Sequence, residues 1–195
     1  MKKKVFIASV FLLCLAILAG TTMAYFTAGD TAHNVITSGN VDIELVEKQD
    51  RDGTLVDYPD GPISGVMPGE SVSKIVSVRN TGTGDAWVRI QVEKIMELNR
   101  KYAGEEAIAD PELMVLDINT EHWAEKDGWY YYKEPLPVGK TTEPLFRQVA
   151  ISMEMDNPYQ EADMDIVVHA QAVQSKNNPL PAGGDFSRIP GWPTK

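Results

Sequence analysis

The three histidines, His33, His122 and His169, are the residues best suited to hold a metal ion or move a proton near neutral pH. A zinc peptidase brings three or four ligands together, most recognisably as His-Glu-x-x-His on one helical face, and the chain has no such motif. His122 and Glu125 stand three apart, a spacing that shares a face on a helix but not on a strand. Cys14 is the single cysteine and lies in an apolar N-terminal run, so the rest of the chain offers no thiol nucleophile. No Gly-x-Ser-x-Gly elbow occurs. The stretch "DRDGTLVDYPDG" offers Asp50, Asp52, Asp57 and Asp60 as hard oxygen ligands. Calcium loops of the EF-hand kind need glycine sixth and glutamate twelfth, whereas from Asp50 glycine falls fourth and Gly61 twelfth. Turn formation accounts for these residues. The side chains therefore predict no catalytic residue, no cofactor and no metal site; the expectation is a non-enzyme.

Two further motifs suggest contact, not catalysis. Trp129, Tyr130, Tyr131 and Tyr132 are consecutive, and a strand sends such residues to alternate faces, two into a core and two outward. The outward pair is either a partner surface or is covered by another part of the chain. "LPAGG", residues 180–184, resembles the sortase signal Leu-Pro-x-Thr-Gly. Gly183 replaces the threonine and no apolar span follows, so wall anchoring is not expected.

The elements that carry these residues read as strands. Val41, Ile43 and Leu45 alternate with polar neighbours; so do Val72, Val76 and Val78, and then Val88, Ile90 and Val92, with Arg89, Gln91 and Glu93 opposite. Residues 47–65 break the pattern with two acidic, glycine-containing turns. Asp127-Gly128 supplies the positive φ values of a tight hairpin. Val149, Ile151, Met153 and Met155 alternate again, and residues 164–173 make a last strand. Between about 97 and 119 the pattern is mixed, and Asp110-Pro111-Glu112 predicts a short helix by its cap, its proline and its acidic first turn. Little helix and many turn-bounded strands predict an all-β fold, an antiparallel sandwich with a short helical insertion. After Gln174 prolines and glycines dominate, and a flexible C-terminal tail, 175–195, is expected.

Lys2, Lys3 and Lys4 precede the apolar run 5–20, the n- and h-regions of a secretory signal. As a helix this run spans about 24 Å, short of the ~30 Å hydrocarbon layer. Small residues follow, placing a cleavage site between Ala24 and Tyr25 and a signal peptide at 1–24. Cleavage leaves a chain with no cysteine, so residues 25–174 fold on an apolar core alone. Removing the three lysines leaves all 28 acids against 15 of the 18 Lys and Arg, a formal charge of −13. That sign disfavours nucleic acid and anionic membranes as partners. Membrane contact is expected only through the uncleaved signal, and the expected location is secreted, extracellular or bound to the cell surface.

The pieces "AYFT", "ITSGNVDIEL", "PGESVSKIVSVRNTG" and "DGWYYYKEPLPVGKTTEPLF", in this order, resemble the TasA/CalY/camelysin family of Gram-positive secreted proteins. The likeness covers residues 1–95 well and 120–174 more loosely. It implies a jelly-roll sandwich, processing by a signal peptidase of the SipW type, and, for the TasA branch, assembly into extracellular biofilm fibres. In such fibres the N-terminal segment of one subunit completes the sheet of the next, which assigns assembly to Tyr25, Phe26 and Val35. Expected partners are further copies of the chain, other matrix or cell-surface proteins and the signal peptidase. The resemblance also implies two alternatives, a camelysin-like surface metallopeptidase and a monomeric accessory or adhesion module.

Overall fold

Each period-two pattern becomes a strand because alternate side chains find apolar cover in a facing sheet. The computed structural model describes residues 35–37, 41–59, 61–63, 65–104 and 106–193. The chain divides into two units, Met1–Ala32 and His33–Lys195, and every described residue belongs to the second. Two five-stranded sheets pack into a β-sandwich. The first runs β1 (Val35–Thr37), β10 (Asp163–Gln174), β5 (Ala86–Glu97), β8 (Trp129–Tyr132), β7 (Trp123–Lys126). The second runs β3 (Thr54–Asp57), β2 (Ile43–Arg51), β4 (Ser71–Asn80), β9 (Phe146–Ile151), β6 (Met114–Leu116). All pairs are antiparallel except β1 with β10.

The core lies between the sheets where the alternation places it. Val76 and Val78 of β4, Ile90 of β5 and Phe146 and Val149 of β9 are fully buried. The four aromatics of β8 divide as expected. Tyr130 and Tyr132 pack against the core, Tyr132 lying 5.1 Å from the Trp123 ring, while Tyr131 sits beside Arg89 on the outer face. Two Asp-Gly turns set the hairpins: Asp52 and Gly53 join β2 to β3, Asp127 and Gly128 join β7 to β8, and all four have positive φ.

Four expectations need correction. The strand that begins at Ile43 runs on to Arg51 and pairs with β3, so only part of 47–65 is irregular. The segment 97–119, expected as a short helical insertion, holds the predicted helical turn, Pro111–Leu113 capped by Asp110, and a four-residue helix α1 (Arg100–Ala103). It also supplies β6, which pairs with β9 and closes that edge. The strand through Val149 stops at Ile151, because Ser152 bonds to the Leu113 carbonyl and the chain turns, leaving Met153 exposed and Met155 buried. Lastly, residues 175–193 are not a loose tail. They dock on the outer face of the first sheet, where Ile189 is only 3% exposed in a satellite core with Trp87 and Val173.

One ion pair lies on the inward side. Lys74 shares the core-facing parity of Val72, Val76 and Val78 and is buried, its Nζ 2.9 Å from Glu47 and 3.9 Å from the centre of the Tyr58 ring. A β-bulge between Ser73 and Val76 falls at the same place. Tyr58, half-buried beside the carboxylates of Glu47 and Asp165, has its hydroxyl pushed above the ordinary phenol value, mainly by desolvation.

Candidate functional site

The outer edge of β10 is the first site with an evident physical capacity. β10 is twelve residues long, and β1 pairs with three of them, Ala170, Gln171 and Ala172. At the other end Ile63 donates its N–H to the Met164 carbonyl at 2.7 Å. Between these points, residues 165–169 have no neighbouring strand on that side among the described residues. Backbone direction alternates along a strand, so the groups of Ile166 and Val168 face this edge as those of Met164 do. The Asp165 carboxylate turns back to accept the Ile166 N–H at 2.8 Å, a side-chain substitute for a strand partner. A groove of about 500 Å³ opens beside the start of β10, with Val66, Met67, Met155, Tyr159 and Met164 in its walls. Methionine walls adapt to varied apolar shapes.

The second site is the covered outer face of the same sheet. Cross-strand register sets Trp87 beside Val173, Arg89 beside Gln171, and Arg89 beside Tyr131. The Arg89 guanidinium lies over two indoles, 4.0 Å from the Trp129 ring centre and 4.6 Å from that of Trp192. Its Nε and Nη2 donate to Gln171 Oε1 at 2.9 and 2.6 Å, and Nη2 also donates to the Pro193 carbonyl at 3.0 Å. Burial pulls the guanidinium below its ordinary value, and the Tyr131 hydroxyl works against that pull. No family model matches the chain, and no curated protein or solved structure matches it.

At the rim of this face Lys126 Nζ meets Asp185 Oδ2 at 2.6 Å. Lys126, with help from the Ser187 hydroxyl, holds the Asp185 carboxyl down at about 2. A carboxyl depressed in the folded state stabilises docking fully above its unfolded value near 4 and loses that contribution as pH falls through about 2. Acid titration followed by tryptophan fluorescence should therefore leave the docked segment in place at pH 5. The Lys126–Asp185 contribution should fade between about pH 4 and 2. The same loss already complete at pH 5 would contradict the ion pair.

The residues assigned to processing and assembly divide unevenly. Ala24, Tyr25 and Phe26 lie outside the described residues, as do Cys14 and His33. Val35 opens β1, in register with Ala170. His122 precedes β7, whereas His169 sits on β10 with its Nε2 4.0 Å from Glu93. The order β10-β5-β8-β7 puts three strand spacings between these two histidines, which keeps them at least about 14 Å apart. Among the described residues no group of three or more His, Cys, Asp or Glu is placed to hold a metal ion. Asp50 accepts the Gly53 N–H at 2.7 Å and Asp57 pairs with Lys48, so both serve the β2–β3 hairpin, and Asp60 lies outside the described residues. Neither Arg89 nor Lys74 belongs to a motif that marks it as a site in the sequence. Lys74 had a signal, its parity with Val72 and Val76. Arg89 had none, since its parity points away from the core.

Proposed function

We propose that the chain is a secreted, non-enzymatic structural protein of the cell surface or biofilm matrix whose copies join through their N-terminal segments. The observation that carries this reading is the edge of β10. Among the described residues a strand from the N-terminal part of the chain adds there in parallel over three residues, and the edge beyond it has no strand neighbour. Edge N–H and C=O groups gain partners when an extended segment is added, which is the physics of β-augmentation. A donor from another copy that takes the place of the acceptor's own β1, with Val35 again opposite Ala170, sets its residues 30–34 opposite residues 165–169. Ile63 closes the ladder at Met164, and the aromatic start of the donor, Tyr25 and Phe26, then enters the methionine-walled groove. The resemblance to the TasA/CalY/camelysin family and the signal-like residues 1–24 support the same reading. While Phe26 stays joined to the apolar run it is held at the membrane, so cleavage before Tyr25 gates assembly.

Protein beginning at Tyr25 tests this against two variants at matched concentration and salt. Deleting residues 25–34 should leave a folded monomer, since the sandwich strands from Ile43 onward are intact. Thr31→Pro removes one ladder donor and should shorten or weaken the assemblies. Sedimentation and electron microscopy give the readout. Fibres of undiminished length from the deletion variant would end the donor-strand proposal, and a monomer at Tyr25 would favour the accessory-module alternative.

A further inference from the structure

The joint between residues 175–193 and the outer face of the first sheet has the composition of an interface between molecules. Its centre holds Trp87, Trp129, Trp192, Tyr131, Phe186 and Arg89, and tryptophan, tyrosine and arginine are the residue types enriched in binding hot spots. Arg89 is buried with one indole from the face and one from the docked segment, so half of its cage arrives with the segment. The Trp87 indole N–H donates to the Asn178 carbonyl at 2.8 Å and Arg89 to that of Pro193, which fixes the register at both ends. The segment is also separable. Trp87, Val173 and Ile189 form a cluster apart from the main core. No strand follows Gln174 among the described residues, so no ladder holds the segment in place. It leaves β10 at one point, through the polar turn 175–177, with prolines at 179 and 181.

We infer that this segment docks between copies as well as within one. The face built by Trp87, Arg89, Trp129 and Tyr131 is a receptor for residues 178–193 of a second copy. An exchanged segment makes the same contacts as a retained one, so the balance is set by concentration and by the geometry of the 175–177 turn, not by new chemistry. Exchange in one direction along a row of copies gives an open chain, and reciprocal exchange gives a closed dimer. This joint is independent of the N-terminal segment and the edge of β10.

The Lys126–Asp185 ion pair crosses the joint and permits a test on the unaltered full chain. Unlabelled and 15N-labelled chains are co-refolded from denaturant, so that exchange is not hidden by a slow release step. A carbodiimide then couples the Lys126 ammonium to the Asp185 carboxylate as an amide, and digestion isolates the coupled peptide pair. Docking within one copy gives pairs that are wholly light or wholly heavy. Docking between copies adds mixed pairs, approaching about half of the total at full exchange and rising with protein concentration. Lys126→Arg removes the amine and must remove this product, which verifies its assignment. Mixed pairs that persist when residues 25–34 are deleted support the inference even if N-terminal assembly fails. Pure light and heavy pairs at every concentration would overturn it, as would the absence of any Lys126–Asp185 product from the wild-type chain.

Discussion

Val78→Asp and Ile90→Asp should each cost several kcal/mol, a large share of the roughly 5–15 kcal/mol that holds a domain folded. Both side chains are fully buried and on opposite sheets, so a carboxylate at either position has no solvent and no cationic partner placed for it. Val78 has a second tie, its backbone N–H accepted by the Thr142 hydroxyl at 3.0 Å, which leaves little room for local rearrangement. Glu93→Lys sits on β5 three residues beyond Ile90 but faces out, and should change stability by no more than about 0.5 kcal/mol. Denaturant melts separate the two classes by midpoint, given an unchanged slope. Equal effects from Ile90→Asp and Glu93→Lys would mean that the phase of β5 is wrong.

The second large effect comes from the inward ion pair. Glu47→Ala leaves the Lys74 ammonium buried against the Tyr58 ring without its carboxylate, and stranding one partner of a buried pair costs about 3–5 kcal/mol. Replacing both partners, Glu47→Leu with Lys74→Met, should recover most of that loss, since apolar side chains of similar size need no counter-charge. The double-mutant cycle then returns a coupling well above that of the exposed Lys48–Asp57 pair, whose loss should be worth no more than about 1 kcal/mol. Raised salt should weaken the exposed pair and leave the buried one nearly unchanged. A Glu47→Ala variant within about 1 kcal/mol of wild type would show that Lys74 finds water by a small shift of Tyr58.

What the sequence determined by itself is what depends on neighbours a few positions away. Alternation at Val76–Val78, Val88–Ile90 and 164–173 assigned strands and faces, because a pleated chain sends successive side chains to opposite sides whatever lies beyond them. Asp52-Gly53 and Asp127-Gly128 declared their turns, because only residues tolerant of positive φ fit a two-residue hairpin. The same alternation split Trp129 and Tyr131 from Tyr130 and Tyr132. It gave no means of knowing what would cover the outward pair. Tertiary structure alone decided that residues 175–193 fold back over that face and bury Arg89 against two indoles, since no local period encodes a contact about a hundred residues away. It also decided that β6 pairs with β9, and that β1 adds to β10 in parallel. Partner and direction are properties of sheet order, and sheet order is fixed by which faces and edges remain free once the core has closed.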